Sequence, residues 1–219
     1  MTSAKIEPSH SKKKLSIIAG ACGILTPIVV WSLTALAIFY SPGHFDLTQN
    51  WLSDLSGMGY ASFLSVSRPL VSSPTTEILS RSGFIIGGLL GIAFSIGLFY
   101  DDDAPSHRLG AVFAVLGAGA FCALGIFPEP FGLIHLMAGY AVFLLSSVGI
   151  LLIGGAVIDA SHKWLGGFSI TLGIIALAGT SMVSYGRGVA QAPIIFAIIV
   201  WIVIYSIRML RHGSRQMWN

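Results

Sequence analysis

Five polar side chains have the types to do chemistry together: Ser53, Asp54, Glu129, His135 and Arg187. Asp54 and Glu129 can each pair with Arg187, or hold His135 in one tautomer. His135 with one carboxylate and a water has the parts for general acid–base work. His135 with both carboxylates has the donor types of a metal site. Ser53 is no nucleophile by its surroundings, since neither G-x-S-x-G nor S-x-x-K frames it. Three readings of the group stay open: a network that ties loops to a scaffold, a binding site, or a catalytic site. Cys22 and Cys122 have no metal-type spacing, and no motif calls for a metal or a cofactor.

Six long apolar runs must position these residues: Leu15–Tyr40, Gly83–Tyr100, Leu109–Phe127, Leu133–Ile158, Trp164–Val183 and Pro193–Ile207. Each approaches the roughly 20 residues that an α-helix needs to cross a bilayer. Hydrophobic residues make up 54% of the 219 and charged ones 10%, against about 25% charged in a soluble domain. Mean hydropathy is +0.83. The fold class expected is all-α, an integral membrane bundle of six transmembrane helices with a short interfacial helix in the first outer loop. Residues 1–14 read as a basic cytoplasmic tail, 15–212 as the transmembrane domain and 213–219 as a cytoplasmic tail.

Charge sets the expected orientation. Lys5, Lys12, Lys13, Lys14, Arg108, Lys163, Arg208, Arg211 and Arg215 fall on one face, and only Arg68, Arg81 and Arg187 on the other. Nine against three places both termini in the cytoplasm, with the chain in the cell membrane. The net charge of +3 is then a topology signal, and no nucleic-acid partner is expected. Membrane lipids are the expected surroundings, and a lipid headgroup or small molecule the expected kind of ligand. Acidic groups are absent from the middle of the spans, which argues against ion translocation. Cys22 and Cys122 fall at different depths, too far apart for a disulfide.

The first outer loop carries an amphipathic pattern. Leu47, Trp51, Leu52 and Leu55 share one helical face, and Asp46-Leu-Thr-Gln49 resembles a capping box. Asp54 projects at the border of that face, towards the bundle mouth. Ser73-Pro74 starts the second span as N-cap and first-turn proline, with Glu77 and Arg81 spaced to pair. Asp101-Asp102-Asp103 reads as a solvated turn. Gly83, Gly87 and Gly91 recur every four residues and predict close helix approach. The sixth span has no glycine after Pro193 until its polar end and reads as peripheral and lipid-facing. His107, His162 and His212 read as interfacial residues at helix ends.

Trp51-Leu-Ser-Asp-Leu55 with Gly57, followed far along by Gly125-Ile-Phe-Pro-Glu129 and His135, resembles an uncharacterised prokaryotic family of six-span membrane proteins, domain of unknown function 998. The resemblance runs from the first span to the sixth. Ser56 stands before Gly57 where the family often has the glycine directly. It implies the fold and topology and no activity, and its motifs map onto Ser53, Asp54, Glu129 and His135. The function expected is a multi-pass, non-enzymatic membrane protein whose outer polar site organises the bundle or binds a small ligand, lipid headgroup or partner. The rival is a membrane-embedded hydrolase or transferase acting on lipid headgroups through His135 with Asp54 or Glu129.

Overall fold

The computed structural model describes residues 10–57, 72–159, 162–183 and 188–215. Six helices account for most of them: α1 (His10–Phe39), α2 (Pro74–Asp101), α3 (Pro105–Ile126), α4 (Leu133–Asp159), α5 (Lys163–Met182) and α6 (Gln191–Arg215). Each holds a segment long and apolar enough to cross a membrane, and no strand occurs among the described residues. Among the described residues, three 3-10 turns lie between the spans. They are Leu52–Ser56 (the cap turn), Glu129–Phe131 (the corner turn) and Gly188–Ala190.

Local chemistry starts and stops these elements as expected in several places. The Ser73 hydroxyl accepts from Thr76 N–H at 3.1 Å, and Pro74 occupies the first turn. Proline also opens α3 at Pro105, where its missing N–H costs nothing. Gly57 (φ 150°) ends the cap turn and Gly132 (φ 58°) ends the corner turn. Both conformations are strained for any residue with a Cβ.

The helices form a ring in chain order: each packs on the next, and α6 returns to α1, while α4 and α6 scarcely meet. Consecutive spans run antiparallel. Hence the start of α1 and the end of α6 share one face (the termini face), and the cap and corner turns share the other (the loop face). Nearer the termini face the interior is solid, filled by Phe94, Leu98, Ile153, Trp201, Tyr205 and Met209. Phe94 meets Trp201 edge-on, with ring centroids 6.1 Å apart.

Three packing expectations need correction. α6 is not the lipid-facing helix. Ile194, Ala197, Trp201, Tyr205 and Met209 form a fully buried stripe at helical spacing. Large side chains pack a helix as firmly as glycines do. The most exposed span is α1, 17% buried against 33% for α6. The row is tight at its centre, where a Cβ on Gly87 would lie 2.3 Å from Val30 Cγ2 of α1, but the closest approach of a neighbouring main chain to α2 falls beside the row, at Gly88. A Cβ there would lie 2.7 Å from Cys122 N and 2.8 Å from Ala118 O of α3, whereas one on Gly83 would have Leu33 Cβ as its nearest neighbour, at 3.4 Å. Glu77 and Arg81 do not pair. Glu77 accepts from Ser72 at 2.6 Å, and Arg81 Nε donates to the Gly125 carbonyl at 3.0 Å. A main-chain acceptor fixed on the neighbouring helix wins over a flexible same-helix carboxylate.

Candidate functional site

The first loop bends into the bundle at its loop-face end. Asp46 starts the bend: its Oδ1 accepts from the backbone and hydroxyl of Thr48, each at 2.8 Å. That is an Asx-type turn in place of the expected capping box. These donors hold the Asp46 carboxyl below its ordinary range, led by the Thr48 backbone bond. The helix that follows is shorter than the apolar pattern implied. It is the five-residue cap turn Leu52–Ser56, with Leu55 fully buried and Leu47 left exposed.

Two clamps seat the cap turn. Leu52 N–H donates to Gln191 Oε1 at 3.1 Å, and Gln191 Nε2 donates to the Asn50 carbonyl at 3.0 Å. The buried Gln191 thus satisfies two main-chain groups that would otherwise be orphaned at the top of α6. On the other side Ser53 Oγ donates to Glu129 Oε1 at 3.3 Å, joining the cap turn to the corner turn.

Asp54 is 5% exposed. Its Oδ2 accepts from Asn50 Nδ2 at 3.2 Å and from Trp51 N–H at 3.1 Å, while Oδ1 is buried with no hydrogen-bond partner among the described residues. A protonated Glu129 is the neighbour that can supply a donor. Burial first, and then the Asp54 carboxylate hydrogen-bonded to it, push the Glu129 carboxyl up to about 9. Two buried carboxylates in contact cannot both ionise cheaply, so the pair holds one proton at neutral pH. Ser53 thus bonds Glu129 directly, and Asp54 stands beside Glu129 as the second carboxyl of a pair.

His135 stands in the first turn of α4, with Nδ1 2.8 Å from the Phe127 carbonyl. A carbonyl only accepts, so Nδ1 carries a proton, and in the neutral imidazole Nε2 then keeps its lone pair. Arg187, the fifth expected member, lies outside the described residues. Among the described residues no three His, Cys, Asp or Glu side chains gather as metal ligands would.

Beneath the cap turn the ring of helices encloses a cavity of about 920 Å³. Ser53, Glu129, His135 and Gln191 line it at the loop face. Farther in, its walls are aromatic and aliphatic, with Val30, Phe84, Phe121, Phe143, Ile195 and Ile199 among them, and Trp201 at depth. The glycines of α2 open part of this space, since Gly87, Gly88 and Gly91 all face it.

A second polar group, which sequence reasoning missed, lies nearer the termini face. Asp101, expected in a solvated turn, is a buried partner of Arg208 at 2.7 Å. His107, expected at the interface, is fully buried, and neither ring nitrogen has a protein partner. Asp103 pairs with Arg108, and Asp102 accepts from Ala104 N–H at 2.9 Å, so the three aspartates point apart. Opposite charges at the ends of α2 and α6 were the available signal for the Asp101–Arg208 pair. Gln191 and Asn50 were missed as well. A polar residue just before a span looks like an ordinary boundary until the loop it clamps is known.

Cys22 and Cys122 are both free thiols. Comparison with curated proteins and with solved structures gives no match. The sequence profile of one family, described as protein of unknown function (DUF998), matches residues 24–208. That span runs from the middle of α1 into α6 and includes both motifs of the loop-face site; the chain is a multi-pass membrane protein and belongs to this family.

Proposed function

We propose that this protein binds a small amphiphile, with the polar end of the ligand at the loop-face site and its apolar part in the cavity beneath. One observation carries the reading: the cavity is lined mainly by hydrocarbon and aromatic side chains, and Ser53, Glu129, His135 and Gln191 gather at one end of it. Ligand pockets have this composition and a volume of roughly 300–1,000 Å³. With the Ser53 proton given to Glu129 and the Glu129 proton to Asp54, the polar end offers acceptors, the Ser53 hydroxyl oxygen and Nε2 of a neutral His135. Such a set suits a neutral polar group better than a bare charge. The loop face is taken as the outer face, on the nine-to-three distribution of Lys and Arg, with both termini cytoplasmic in the cell membrane.

A second reading has one observation in its favour. The fixed Nδ1–H tautomer leaves His135 Nε2 unprotonated on a side chain that lines the cavity, as a hydrolase or transferase base would need. One experiment addresses both. A fluorescent long-chain alcohol is titrated into the purified protein in detergent. Saturable binding is expected, lost in Gly139→Phe, whose new side chain would enter the cavity; a Cβ at Gly139 meets only Leu124 Cδ2, at 4.0 Å. Binding that is equal in the two proteins would sink the proposal. Turnover of an esterified analogue, lost in His135→Gln, would support the catalytic reading instead.

A further inference from the structure

We propose that the cavity fills sideways, from the bilayer leaflet on the loop face, through the seam between α4 and the α5–α6 pair, and that its occupant is a hydrocarbon chain of a membrane lipid. The inference rests on the binding role proposed above and adds the source of the ligand and its route.

The cap turn covers part of the loop-face end of the cavity, and the core closes the other end. Trp51, Leu52 and Ser53 line it from above, on a turn clamped to α6 by Gln191 and to the corner turn by Glu129. Below, Phe94, Ile150 and Trp201 close into the solid core.

The side differs. Towards the termini face α5 packs closely on α4: a Cβ on Gly166 would lie 2.7 Å from the Gly154 carbonyl, and one on Gly173 3.3 Å from Leu151 N. Towards the loop face α5 packs on α6, where a Cβ on Gly179 would lie 2.5 Å from Ile194 Cγ1. Accordingly α5 gives the cavity only the Val183 at its C-cap, and α4 and α6 scarcely touch. Leu133 and Leu136 of α4 line the cavity and are exposed at once, which places them at its rim. Met137 and Leu144 continue that exposed strip along α4, and Leu177 and Met182 face outward on α5.

The chemistry of the seam selects what passes. No Asp, Glu, Lys or Arg occurs from Leu133 to Ile158, from Trp164 to Val183, or from Val189 to Ile207. A water-borne solute would have to cross aliphatic walls, whereas a lipid chain already lies against them. Its polar end would reach Ser53, Glu129 and His135 near headgroup depth.

Trp201 reports on occupancy because it lies deep in the cavity and is 2% exposed. The full chain carrying Trp201 alone (Trp31, Trp51, Trp164 and Trp218→Phe) is reconstituted into phosphatidylcholine vesicles with plain or brominated acyl chains. A companion keeps only Trp164, which is 72% exposed. Bromine quenches an indole that it touches. Both proteins should be quenched by brominated lipid, and Gly139→Phe should protect Trp201 several-fold without protecting Trp164. Ile199→Phe, on the opposite wall, serves as a second filler if Gly139→Phe fails to fold. Quenching of Trp164 with none of Trp201 would overturn the lipid route, as would Trp201 quenching that both fillers leave unchanged. If the long-chain alcohol still binds in either case, only the route has failed; if it does not, the binding role has failed too.

Discussion

Replacing Glu129 by Gln tests the carboxyl pair on which the cap turn is seated. The Glu129 carboxyl sits at about 9 in the folded protein against an ordinary 4.5. The sign follows from which state holds the proton. Below pH 4.5 folded and unfolded chains both carry it, and Glu129 contributes nothing. Between 4.5 and 9 the unfolded chain releases it and the folded chain does not, so stability falls as pH rises, by about 1.4 kcal/mol per unit at most. Above 9 both are ionised and the loss levels off. From pH 4.5 to pH 7 the accumulated loss is about 3 kcal/mol, or roughly 6–12 °C of melting temperature for a chain of this size. The carboxamide in Glu129→Gln has no proton to lose and keeps an N–H₂ for Asp54. Thermal unfolding of both proteins in one detergent at pH 5, 7 and 9 isolates the carboxyl pair, since every titrating group outside it is common to both. Glu129→Gln should fall behind or match the wild type at pH 5 and exceed it at pH 7 and above. A difference between the two that stays constant over this range would refute the shared proton.

Three further outcomes follow from the packing, the charges and the topology. Gly88→Ala should cost about 1–3 kcal/mol by thermal unfolding, because the new methyl meets α3 main chain. Gly87→Ala should cost less, since Val30 and Phe121, which it meets, both border the cavity and have room to turn. Arg208→Met should cost about 3–5 kcal/mol by leaving the Asp101 charge buried and unpaired, with much of the loss regained in the double variant Asp101→Leu/Arg208→Met. An impermeant thiol reagent should fail to label a Ser3→Cys protein on a cysteine-free background from outside the cell, and efficient labelling would reverse the proposed orientation.

The six spans were legible in the sequence because the bilayer imposes a length and a composition on each helix separately. No knowledge of neighbours is needed to read them. Ser73-Pro74 was legible for a similar reason, since a cap acts within one turn. The likeness of the Ser53-Asp54 and Glu129…His135 motifs to one family was legible too. What escaped the sequence depends on which helix faces which. The close main-chain approach at Gly88, beside the Gly83-Gly87-Gly91 row, is set by where α3 crosses α2. The buried stripe of α6 looks lipid-facing, because apolar side chains suit lipid and protein interior alike. Asn50 and Gln191 lie 141 residues apart in sequence, and only the closing of the ring brings them to 3.0 Å. The shared proton of Asp54 and Glu129 needs both contact and burial, and the tertiary structure alone supplies them. The cavity and its open seam are spaces between helices rather than properties of any one of them, so no local pattern of residues could record them.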